Sequence, residues 1–140
     1  MTVEEFFLAN AAHTAHQIDV VFRKFTGDQW DTKLVPEAMS PRETLAHLCD
    51  CYQCASQRAR GEEPAWGSFK PEDDDPARLE ETRQRLRAKA IEEAVAVGDH
   101  ALLAELYAYL HEHEAYHVGQ LCLLVVRLDP AWDPYSIYLR

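Results

Sequence analysis

Seven histidines stand among the 140 residues of the chain, and two of them, His113 and His117, are four apart. On a helix that spacing puts both imidazoles on one face, one turn apart. Two such rings can converge on a first-row metal ion, with nitrogens about 2.0–2.1 Å from it. The bland alternative is a polar pocket in which the pair hydrogen-bonds tyrosines. His47 is the third candidate ligand, with Cys51 and Cys54 following it at i+4 and i+7 on the same side of a helix. Three histidines drawn from two neighbouring helices would hold a divalent metal and leave coordination positions open, as catalytic rather than structural sites do.

The remaining histidines read differently. His111 lies about 200° round a regular helix from His113 and is expected to face solvent. His100 falls at a helix start and is expected to be exposed. His13 and His16, three apart, are read as polar residues of an amphipathic helix, with His13 the more inward of the two.

Two further motifs share these residues. His113-Glu114-Ala115-Tyr116-His117 matches H-E-x-x-H, the zinc-protease signature. Only 23 residues follow His117, however, and they hold no His or Glu, just Asp129 and Asp133. With no substrate-aligning strand expected, a metalloprotease is a remote alternative. Glu114 and His117 also form half of a di-iron motif, but no second Glu-x-x-His exists to complete it. Cys51-Tyr52-Gln53-Cys54 is a C-x-x-C placed mid-helix, without the βαβ surroundings of a redox site. Small buried thiols filling a helix interface is the simpler reading, with Cys51 as a fourth metal ligand or a lining residue of the metal's pocket the minority one.

The elements that must position these residues are all helical, because apolar residues recur at three and four throughout and never alternate over a useful length. The first helix is expected over about Val3 to Phe25, with Val3, Phe7, Thr14, Ile18, Val21 and Phe25 near one stripe, ended by Gly27-Asp28. The second starts at Ser40-Pro41-Arg42-Glu43, a serine N-cap with proline next and a glutamate placed for a capping box. Leu45, Leu48, Tyr52, Ala55 and Ala59 mark its buried face to about Arg60. A Pro-, Gly- and acid-rich loop covers residues 61–75, where Trp66 and Phe69 suit packing, a pocket lip or a dimer contact. Asp75-Pro76 opens a third, heavily charged helix with the thin stripe Leu79, Leu86, Ala90, Ala94 and Val97, expected to be the most solvated. Gly98-Asp99 closes it and caps a fourth, about His100 to Leu128, carrying Leu106, Leu110, His113, His117, Gln120 and Leu124 on one inward stripe. Residues 1–140 thus read as a single all-α domain, a four-helix bundle.

Composition narrows the function classes. Hydrophobic residues make up 47% and charged residues 27%, with five Gly and seven Pro, which is globular rather than disordered composition. A net charge of −10 repels phosphate backbones, so no nucleic-acid partner is expected. The basic run Arg83, Arg85, Arg87 and Lys89 is interleaved with acids and spread round its helix. Glu4 and Glu5 stand where a signal peptide needs positive charge, and the apolar stretch Leu121 to Val126 is far too short to span a bilayer. A cytoplasmic protein with no membrane partner and reduced thiols is expected.

The string His113-Glu114-Ala115-Tyr116-His117-Val118-Gly119-Gln120-Leu121, with Leu45-Ala46-His47-Leu48 following a loop that contains Trp30, resembles the DinB/YfiT-like superfamily of four-helix-bundle metalloenzymes. The resemblance runs through nearly the whole chain in helix order and spacing. It implies up-down-down-up connections, a homodimer, and a divalent metal ion, whether zinc, nickel or iron, on His47, His113 and His117. Characterised relatives, a mycothiol-dependent maleylpyruvate isomerase and bacillithiol-dependent S-transferases, act on small molecules with low-molecular-weight thiols. The resemblance therefore implies a metal-dependent enzyme, a thiol-dependent S-transferase or else a hydrolase in which the ion activates water, with catalytic residues beyond the ligands unassigned. A non-catalytic metal-binding stress-response or interaction protein is the alternative. The chain departs from the family in being short and in placing Cys51 and Cys54 beside the expected ligand on the second helix.

Overall fold

The local signals in the chain set where each helix begins. In the computed structural model, which describes residues 1–138, helix α1 spans Val3–Phe22. Thr2 caps it: its hydroxyl accepts from the Glu5 N–H at 3.1 Å, and the Glu5 carboxylate accepts from the Thr2 N–H at 2.7 Å. Helix α2, Pro41–Ala59, starts on the same reciprocal pair between Ser40 and Glu43. Each such cap satisfies two of the backbone donors that a helix start leaves unpaired. Asp75 caps α3, Pro76–Val97, and Asp99 caps α4, His100–Tyr107. Between them Gly98 takes φ +66°, the left-handed turn that ends a helix and that glycine adopts without a Cβ clash.

The fourth helix is not regular. α4 runs into a π-turn, Ala108–Glu112, and continues as α5, His113–Leu128, with helical backbone throughout. Among the described residues no strand occurs and the helices number four, an all-α fold. Short 3-10 turns at Gly27–Asp31 and Pro134–Ile137 complete the elements.

One core gathers the inward faces, including Phe7, Ile18 and Val21 of α1, Leu45, Leu48 and Tyr52 of α2, and Leu103, Leu106 and Leu110 before α5. The most extensive pairing is α2 along α3, while α1 lies against α5. The expected α2 stripe is buried at all five positions. α1 ends three residues earlier than expected, although Phe25 beyond it stays buried; Val3 and Val97 are exposed rather than inward.

Helix α3 buries few residues, but two of them are arginines. Arg83 is 1% exposed and donates to Glu80 at 2.5 and 2.8 Å and to Asp19 of α1 at 2.9 Å. A buried guanidinium persists only where carboxylates compensate its lost hydration, and α3 therefore ties to α1 through charge as well as its thin apolar stripe. No helix among the described residues is long and apolar enough to cross a membrane.

Candidate metal centre

His47 comes from the middle of α2, His113 is the first residue of α5, and His117 lies one turn further on. Their rings converge. Nε2 of His113 stands 3.1 Å from Nε2 of His47 and 3.0 Å from Nε2 of His117. Ligand atoms of all three lie within 4.8 Å of one another, the one such group of His, Cys, Asp or Glu found among the described residues. Bonds of about 2.0–2.1 Å at angles between 90° and tetrahedral place two nitrogens of one ion about 2.8–3.4 Å apart. The observed separations fall within that range.

Hydrogen bonding sharpens the fit. Nδ1–H of His117 donates to Gln120 Oε1 at 3.0 Å, which leaves the Nε2 lone pair facing the other two rings. Gln120 Nε2 in turn donates to the Tyr116 hydroxyl at 2.9 Å. Such a partner on the distal nitrogen fixes tautomer and ring orientation, as it does for metal-bound imidazoles. His113 Nδ1 is buried without a hydrogen-bond partner. That nitrogen stays unpartnered in either tautomer, and one cation at the focus would satisfy the three inward Nε2 lone pairs.

Burial, then the His113 and His47 rings, push the His117 imidazole down to about 4. Burial and His47 lower His113 in the same way. Both rings are therefore neutral near pH 7, the form that binds metal.

The other sequence candidates fall outside this group. Cys51 Sγ lies 3.8 Å from His47 Nε2, but it does not join the mutually close ligand atoms. Burial drives its thiol up to about 12. All four cysteines are free and buried. Asp129 and Asp133 are not in the group either. The ligand set is thus three imidazoles, with His47 and His113 only partly buried.

Glu114 takes a structural place rather than that of a protease base. It is 0% exposed and accepts from Arg87 Nε at 2.6 Å, Arg87 Nη2 at 3.0 Å and the Tyr52 hydroxyl at 2.8 Å. Arg87 Nη2 also donates to Ala11 O and Thr14 Oγ1 of α1. One carboxylate beside two ligands thereby joins α1, α2, α3 and α5, and it has no oxygen free to activate water. Sequence spacing had marked Glu114 as chemical; the signal for its true partner was Arg87 on a helix expected to be solvated.

His111 corrects a second expectation. It is 2% exposed, not solvent-facing, and packs between the rings of Phe7 and Tyr107 at 4.6 and 4.7 Å. The π-turn is the reason: i→i+5 bonding widens the coil, so the regular angle between His111 and His113 no longer applies and Leu110 and His111 both turn inward. Neither His111 nitrogen has a hydrogen bond of ordinary geometry, and burial holds the imidazole down at about 4. Gln120, expected on the inward stripe, is exposed and reaches His117 from outside. His100 is exposed as expected and meets Glu4 at 2.9 Å. His13 and His16 are both partly buried.

Beside His47 and His113 a cavity of about 190 Å³ opens, with Cys51, Trp66, Ala108 and Tyr109 as its other walls. Comparison of the chain with protein-family models, curated proteins and solved structures returns no match.

Proposed function

We propose that the chain is a divalent-metal-dependent enzyme of the DinB/YfiT-like kind, a low-molecular-weight-thiol-dependent S-transferase acting on a small molecule. The observation that carries this reading is the convergence of three Nε2 atoms, from two helices, on one point beside a cavity. In this reading the four helices form an up-down-down-up bundle, the chain works as a homodimer in the cytoplasm, and zinc, nickel or iron is the ion. A divalent ion there would supply the chemistry the reaction needs, lowering the pKa of a coordinated thiol or water. The chain's own residues do the rest. His47, His113 and His117 present imidazole nitrogens as donors, Gln120 holds the His117 tautomer, and the exposed Tyr116 hydroxyl, anchored by Gln120, is placed to orient a ligand at the rim.

The non-catalytic alternative needs a closed coordination sphere. Cys51 is the nearest fourth donor, and its absence from the mutually close group favours an open site. The test is a screen of metal-loaded protein with low-molecular-weight thiols and small electrophiles, following thioether formation. Turnover that disappears in His117→Ala supports the transferase; bound metal with no turnover for any pair favours the metal-binding alternative.

A further inference from the structure

The cavity beside the histidines has walls that differ in kind from the ligands. Trp66 and Tyr109 meet edge-on, with ring centroids 5.5 Å apart and planes at 86°. The Tyr109 hydroxyl is directed to Glu105 Oε1 at 3.4 Å, so the ring rather than the polar end faces the space. Ala108 and the Cys51 thiol complete the lining, and the only strongly polar groups are the imidazoles of His47 and His113. A dry cavity of roughly 150 Å³ accepts a benzene ring, and this one measures about 190 Å³.

The Trp66 wall is built rather than incidental. Trp66 lies on the loop between α2 and α3, and its side chain is 54% exposed although that loop is pinned on both sides of it. Asp50 of α2, itself buried, gives one carboxylate oxygen to the Gly67 N–H at 2.9 Å and the other to the Phe69 N–H at 3.0 Å. The Ala65 N–H donates to Gln57 Oε1 at 2.8 Å, and Gln53 Nε2 to Ser68 Oγ at 3.0 Å. Gly67 takes φ +73°, the reversal that lets the loop fold back onto Asp50. Four hydrogen bonds to α2 thus hold a large aromatic half in water, against Tyr109 and over the cavity.

We infer that this cavity is a selectivity pocket for a single ring-sized apolar group, an aryl or branched alkyl moiety, carried by the molecule whose polar head binds at the three histidines, and that Asp50 is the positioning residue for its Trp66 wall. The inference rests on the metal reading for the head group and on the cavity alone for the apolar group.

The test uses the full chain loaded with cobalt(II) and titrated with acetohydroxamate or benzohydroxamate, which share a chelating head and differ in the group that would enter the cavity. Visible absorption reports binding, and cobalt content is measured on the same samples. Benzohydroxamate should bind at least roughly tenfold tighter than acetohydroxamate, after correction for their affinities toward aqueous cobalt(II). Ala108→Leu fills the cavity from an exposed position, and should reduce that preference to less than roughly threefold with cobalt retained. Asp50→Asn keeps one acceptor oxygen in place of two and should lower the preference while leaving cobalt content unchanged. No corrected preference in the wild type, or an undiminished one in Ala108→Leu, overturns the inference. If cobalt does not bind, the metal reading fails and a second arm decides the cavity. Toluene added to the metal-free protein should shift the Trp66 indole N–H resonance, assigned with Trp66→Phe, in the wild type but not in Ala108→Leu. Absence of that shift overturns the inference there too.

Discussion

Replacing Glu114 by Gln separates a structural carboxylate from a catalytic one. The side chain is wholly buried and receives two bonds from Arg87 and one from Tyr52. Glutamine keeps the shape but removes the charge, and it has one acceptor oxygen where the carboxylate had two. Arg87 then keeps that one oxygen, Ala11 O and Thr14 Oγ1, all uncharged, as partners for a buried cation. Breaking one side of a buried ion pair costs about 3–5 kcal/mol. The retained oxygen favours the lower end, about 3 kcal/mol, a large part of the about 5–15 kcal/mol that stabilises a typical domain. With an m-value of about 1.5–2 kcal/mol/M, the urea midpoint followed by circular dichroism should fall by about 1.5–2 M. Adding Arg87→Met removes the uncompensated cation, so the double variant should be more stable than Glu114→Gln alone. Metal bound per folded chain should not change, because the three ligands keep their donors. A midpoint within about 0.3 M of wild type, or a folded variant that has lost its metal, would refute this assignment.

Three further outcomes follow from the same contacts. Without metal, stability should fall as pH drops from 6.5 towards 4, because the unfolded chain protonates His111 there and the folded chain, holding it down at about 4, does not. The full shift corresponds to roughly 3 kcal/mol at pH 4; His117 adds the same sign in the same window, so His111→Phe should remove part of the slope in urea titrations across that range, and an unchanged slope would contradict its burial. Ser40→Ala deletes the hydroxyl half of the α2 capping box and should cost about 1 kcal/mol in a urea titration; no loss would mean that Glu43 alone suffices. Gln120→Leu releases the His117 ring and should weaken metal binding by about 10–100-fold in a competition titration with a chromogenic chelator, while equal affinity would show that the ring needs no orienting partner.

Local chemistry made much of this legible in advance. Ser40-Pro41 with Glu43, Asp75-Pro76 and Gly98-Asp99 each act within a few residues, so helix starts could be read without knowing any neighbour. The three histidines were legible for the same reason in part: His113 and His117 need only a helix between them. What failed depended on contacts distant in sequence. The π-turn has no spacing signature and places His111 against Phe7 from the other end of the chain. Arg83 and Arg87 read as solvated charges because Asp19 and Glu114, which hold them across the bundle, lie on other helices. Periodicity also put Gln120 inside, where the structure uses it from outside.

The central claim is that α2 and α5 together hold one ion, and metal analysis of protein purified without a metal-affinity tag tests it most directly. Wild type should carry close to one equivalent of divalent metal per chain, and His47→Ala, which leaves the two α5 histidines intact, should carry almost none while remaining helical. Metal retained in full by His47→Ala, or absent from the wild type even after incubation with zinc, nickel or iron(II), would contradict the account.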